Sequence, residues 1–98
     1  MDIVKNQEGS KLNMAIIGRL DTNTAPMLEA ELNGGMAGIT DLVLDFEKLE
    51  YVSSAGLRVL LATQKVMNKQ GKMVIKNVNS DIMEVFEITG FSDILTIA

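Results

Sequence analysis

Ninety-eight residues, 47% hydrophobic and 22% charged, suit one folded domain and are too apolar for a disordered tail. Cys, His and Trp are absent, which excludes thiol nucleophiles, disulfides, Cys/His zinc sites and Ser-His-Asp mechanisms. The 9 basic and 13 acidic residues give a net charge of −4 with no Lys/Arg cluster, which speaks against nucleic acid as a partner.

The four aromatics (Phe46, Tyr51, Phe86 and Phe91) offer no stacking platform for bases. No apolar run nears the ~20 residues that span a bilayer, and no segment sets a strongly basic face against an apolar one. The opening MDIVKNQEGS lacks the basic-then-apolar pattern of an export signal. The expectation is a cytoplasmic protein, with no membrane, metal or cofactor involved. Its partners would be proteins or small molecules.

Residues 2–6 and 11–18 read as strands, with Glu8-Gly9-Ser10 turning between them. The unbroken apolar run Met14-Ala15-Ile16-Ile17 predicts a strand buried on both faces. Thr24 is placed to cap a helix, Pro26 suits its first turn, and Glu29 and Glu31 lie early in it. That helix should stop near Gly34-Gly35. The glycine-rich run Gly34 to Gly38 lacks the Gly-Lys-Ser/Thr ending of a phosphate loop, and reads as a turn.

Residues 41–46 form a third strand, 47–53 a connection, 55–69 a second helix closed by Gln70-Gly71, and 72–76 a fourth strand. Asn79, Ser80 and Asp81 offer caps for a third helix over 81–89, and Asp81 with Glu84 has the spacing of a capping box. The apolar tail Phe91–Ala98 adds a small strand or packs over the core. Right-handed crossovers make the strands from residue 11 onward parallel, with the first strand antiparallel at one side. The fold class is α/β, a four- or five-stranded mixed sheet with three or four helices over residues 1–98.

The informative segment runs from Asp45 to Leu61. Ser54 reads as the N-cap of the second helix. Gly56, inside the first turn, costs about 1 kcal/mol relative to Ala and lets a bulky group come close. At 100° per residue the helix has two apolar stripes. Leu57, Leu60, Leu61 and Met67 should cover the sheet. Ala55, Val59, Ala62 and Val66 lie nearly opposite, for the helix at 81–89 or for another molecule. Arg58, Lys65 and Lys69 share a polar edge. A helix start also suits an anion, so a phosphate on Ser54 would meet free N–H groups and the positive end of the dipole. Asp21, Asp45 and Glu47 are not fixed together by any spacing as a carboxylate pair, and no catalytic constellation appears.

The run Asp45-Phe46-x-x-Leu49-x-Tyr51-Val52-Ser53-Ser54-Ala55-Gly56-Leu57-Arg58-Val59-Leu60 resembles the signature loop and helix of STAS-domain anti-sigma-factor antagonists. Gly18-Arg19-Leu20-Asp21, Thr24-Ala25-Pro26 and Thr89-Gly90-Phe91 fall where that family has similar runs. The resemblance implies a partner-switching protein. The unmodified form binds an anti-sigma factor that is an ATP-dependent serine kinase, and a sigma factor is freed. Phosphorylation ends the binding, and a PP2C-type phosphatase resets it. The resemblance puts the phosphoserine on Ser54, with Ser53 as the alternative. Here Ser53 precedes it and Ala55 follows, where well-known members have Asp and Ser or Thr.

Asp21 matches an acidic position near the family's phosphosite, and reads equally as a turn residue. The expected partner surface is Asp21, Thr24, Ser53, Ala55, Gly56, Arg58, Val59, Ala62 and Val66. The competing reading is an unphosphorylated STAS scaffold subunit of a transport or sensory complex, with Ser54 only a cap. Self-association is left open by the sequence.

Overall fold

A long second strand organises the sheet. The computed structural model describes residues 1–98. In chain order they form β1 (Asp2–Glu8), β2 (Lys11–Leu20), α1 (Ala25–Gly35), β3 (Asp41–Asp45), β4 (Leu49–Val52), α2 (Ser54–Gln70), β5 (Lys72–Lys76) and α3 (Ser80–Thr89), then a 3-10 turn at Phe91–Asp93. One edge of β2 pairs antiparallel with β1, from Asp2↔Ile17 to Glu8↔Lys11. Its other edge is shared. Lys11 to Ala15 pair parallel with β3, while Gly18 to Leu20 pair parallel with β4 after a register shift at Gly18/Arg19. β5 pairs parallel with β3. The expected mixed sheet is therefore present, with five strands and three helices.

Two readings of the strands need correction. β4 lies inside what reads as a connection at 47–53. It has four residues, and Leu49 and Val52 are buried with two exposed residues between them, so there is no alternation to see. The run from Met14 to Ile17 is not buried on both faces. Met14 and Ile16 are fully buried, while Ala15 and Ile17 are half-buried. Burial alternates likewise along β3 and β5. The buried side chains of all three helices share one core with the inward rows of β2, β3 and β5, including Met14, Ile16, Leu42, Leu44, Met73 and Ile75. The helices therefore form one layer on one face.

The tail does add to the sheet. Ile97 bridges Ile75, with Ile75 N–H donating to Thr96 O at 2.9 Å and Ala98 N–H to Ile75 O at 2.9 Å. α3 starts one residue earlier than expected, because Asn79 supplies the cap. Its Oδ1 accepts from Ile82 N–H at 2.8 Å, and its Nδ2 donates to Leu49 O at 3.0 Å. Asp81 sits in the first turn instead of capping it.

The end of α2 is fixed by a close approach. Gly71 N–H donates to Met67 O at 2.7 Å. A Cβ on Gly71 would lie 1.9 Å from Thr40 O, the same carbonyl that accepts from Lys72 N–H at 2.9 Å. Backbone cannot yield there as a flexible side chain can. Gly71→Ala should destabilise the fold by about 3 kcal/mol. Gly34, in α1 with nothing near its missing Cβ, should tolerate Ala and gain about 0.5–1 kcal/mol. Urea unfolding of the two variants beside the parent checks both signs.

Candidate functional site at the head of the second helix

β2 and β4 end side by side, and the chain leaves each of them into a helix. Ser53 N–H donates to Leu20 O at 2.8 Å and ties the two exits together. Ser53 is extended, and its Oγ accepts from Gly56 N–H at 3.3 Å. Ser53 is thus the N-cap, not Ser54. Ser54 is the first helical residue, exposed, with its hydroxyl hydrogen-bonded to nothing in the protein. Two adjacent serines offered the sequence two cap registers. Gly56 decides between them. It is buried, and a Cβ there would meet Leu20 Cγ at 2.7 Å and Leu20 Cδ2 and Val52 Cγ2 at 3.0 Å. The turn can seat on the strand ends in that rotation only because the side chain is missing.

Asp21 and Thr24 cap each other at the other exit. Asp21 Oδ1 accepts from the N–H groups of Asn23 at 3.0 Å and Thr24 at 3.1 Å. Thr24 Oγ1 accepts from Asp21 N–H at 2.8 Å and donates to Arg19 O at 2.8 Å. Thr24 occupies the N-cap position of α1, but its hydroxyl turns back to this loop and bonds to no N–H of the helix. Desolvation pushes the Asp21 carboxyl up. The N–H groups of Thr24 and Asn23, the Thr24 hydroxyl and the Arg19 charge outweigh it and hold the carboxyl below the ordinary 3.8. The Arg19 guanidinium also lies 4.3 Å from the centre of the Tyr51 ring.

The second stripe of α2 faces α1, not the helix at 80–89. Between α1 and α2 lies a cavity of about 190 Å³, walled by Leu32 and Met36 on one side and Val59, Ala62 and Val66 on the other. A second depression, at the heads of the two helices, is lined by Thr22, Pro26, Ala55 and Arg58. Both share Glu29 and Val59, so they join as one groove whose upper end is lined by Ala55 and Arg58, in the first turns of α2.

Of the expected surface, Asp21, Thr24, Ser53, Ala55 and Arg58 gather with Ser54 at the strand ends. Val59, Ala62 and Val66 continue down the groove. Gly56 does not belong to that surface, because Leu20 and Val52 cover it. Tyr51, Glu29 and Met36 were missed. Tyr51 was hidden by the unrecognised β4, and Glu29 and Met36 by assigning the wrong helix to the second stripe.

The STAS domain family model matches residues 2–98. The chain belongs to the STAS domain family. It is 30% identical over 99 residues to the anti-sigma-B factor antagonist of Bacillus subtilis, covering 100% of this chain and 89% of that protein. It superimposes on an anti-sigma factor antagonist of Mycobacterium paratuberculosis with a TM-score of 0.88 at 22% identity, over 98% of this chain and 83% of that one. The Bacillus cell fate determinant SpoIIAA in its phosphorylated form has the same fold, with a TM-score of 0.77 at 17% identity over 99% of this chain and 91% of that one. No helix is long and apolar enough to cross a membrane.

The lowered Asp21 pKa has a pH signature. A carboxyl held below 3.8 in the fold stabilises it above the unfolded value, and that contribution is lost as pH falls through the folded value. Asp21→Asn keeps an oxygen acceptor but loses the charge. At pH 7 this variant should be less stable than the parent in urea. The gap should narrow as pH falls below 3.8 and through the lowered folded value, and a constant gap would contradict the account.

Proposed function

We propose that this chain is an anti-sigma factor antagonist that works as a phosphorylation switch at Ser54 in the cytoplasm. Unmodified, it binds an anti-sigma factor serine kinase through the head of α2 and the adjoining groove, and a sigma factor is released. The kinase moves the γ-phosphoryl group of ATP onto Ser54 Oγ, the serine proton is lost, and ADP leaves. The modified form lets go. A PP2C-type phosphatase hydrolyses the phosphoserine and restores the binder.

The observation that carries this reading is the contrast between the two serines. Ser53 Oγ is committed to Gly56 N–H, while Ser54 Oγ is exposed and unengaged. A phosphate at the first helical position also meets the positive end of α2, so the fold can carry it without rearrangement. The names of the relatives support the antagonist role, and the phosphorylated SpoIIAA structure supports the switch on this fold. A phosphate adds about −1.5 to −2 charges. Buried unpaired in an interface, that charge costs several kcal/mol, and a loss of ~4 kcal/mol weakens binding about a thousandfold.

Incubation with the cognate kinase and ATP, read by intact mass, should add one phosphate. Ser54→Ala should abolish it and Ser53→Ala should keep it. Ser54→Asp should weaken kinase binding by about a hundredfold or more while barely moving the melting temperature. A kinase that binds the chain tightly yet never modifies it would leave the scaffold-subunit reading in its place.

A further inference from the structure

The face of the sheet opposite the helices carries no covering layer. Strand pairing sets its side chains in rows that cross four strands. The first row is Glu8, Lys11, Asp41 and Lys72, in register from β1 through β2 and β3 to β5. Its charges alternate in sign. The second row is Asn6, Asn13, Val43 and Val74, and the third is Val4, Ala15, Asp45 and Lys76. Within one copy, Lys72 Nζ reaches Asp41 Oδ1 at 3.5 Å, whereas Glu8 and Lys11 are exposed and make no ion pair. Val4 on the same face is 57% exposed.

We infer that this open face pairs with a second copy of the chain. The charge order dictates the partner, because the first row is complementary to itself when reversed. A two-fold axis lying in the interface and running along the strands, between β2 and β3, places β1 over β5 of the second copy and β2 over its β3. Lys11 then meets Asp41, and Glu8 meets Lys72, each twice by symmetry. No like charges oppose in the other rows. Val4 meets the aliphatic stem of Lys76, Ala15 meets Asp45, and Asn13 meets Val43. Sheets stack in this way at about 10 Å, with strands near −30°.

The size of the face sets the strength. Four strands by about six residues cover roughly 19 by 20 Å, or about 400 Å² per copy, against about 800 Å² in a standard interface. The dimer should be weak, depend on concentration, and weaken with salt. It leaves the helix layer and Ser54 free, so it stands or falls independently of the switch.

Sedimentation from micromolar to millimolar protein at low salt should show a monomer–dimer equilibrium. Lys11→Glu and Asp41→Lys should each weaken it about tenfold or more, by facing like charges across the axis. Mixing the two variants should restore pairing as a heterodimer, because both cross-axis contacts again join opposite charges. Thermal melts of each variant establish that it is folded, and the salt dependence of the parent gives a readout free of mutation. A monomer at every concentration overturns the inference. So does self-association indifferent to salt or to the reversals, or a mixture that stays monomeric.

Discussion

The seating of α2 on the ends of β2 and β4 is the contact on which the rest of the molecule turns. Leu20 and Val52 occupy the volume that any side chain at position 56 would need. A helix pressed that close has one rotation available to it. Leu57, Leu60 and Met67 go into the core, and Ser54 and Arg58 go out. Helical Gly at an inner position costs about 1 kcal/mol in propensity, which the dense packing of Leu20, Val52 and Leu57 offsets. The Ser53 N–H bond to Leu20 O locks the same joint from the backbone side. Ser54 is thus placed by steric exclusion two residues away.

That joint also explains what could be read in advance and what could not. Helix and strand existence followed from local signals: the Gly9 turn, Pro26 after Thr24, Gly71 after Gln70. These depend on neighbours in sequence, so they survive without a structure. The Thr24 cap was lost to a local turn, but the larger errors involved contacts between distant segments. The cap moved from Ser54 to Ser53 because Leu20, more than thirty residues upstream, sets the depth of Gly56. β4 stayed hidden because its pairing comes from the far half of β2 and not from its own pattern. The second apolar stripe of α2 is plain in the sequence, but whether α1 or α3 meets it depends on crossover geometry. Asp21 had two readings. The structure gives it the turn role, and the same turn brings it to the strand ends near Ser54.

The two faces of the sheet divide the surface into unlike halves. The helix layer consumes the alternating inward residues and leaves a groove between α1 and α2 whose upper end lies at Ala55 and Arg58. The other face keeps small and charged side chains in registered rows. Cross-strand opposite charges stabilise an isolated sheet by a few tenths of a kcal/mol per pair, which accounts for Asp41 beside Lys72. Glu8 and Lys11 also stand opposite each other in register but form no ion pair, which leaves both charges open to a second surface.

The charges around Ser54 show where a phosphate would act. Arg19 is already engaged, with Nε 3.8 Å from Asp21 Oδ2 and its guanidinium on Tyr51. Asp21 adds a negative charge at the same end. Arg58, one turn along α2 and exposed, makes no ion pair within the chain. An exposed Arg–phosphate pair, like other surface ion pairs, is worth up to about 1 kcal/mol and is screened by salt. The helix dipole adds a similar amount. Both are small beside the several kcal/mol lost when an unpaired charge is buried under a partner. On the proposed reading, phosphorylation therefore leaves this domain nearly unchanged. Its effect appears only when another surface tries to exclude water from that end of α2, which lets a 98-residue chain switch without changing shape.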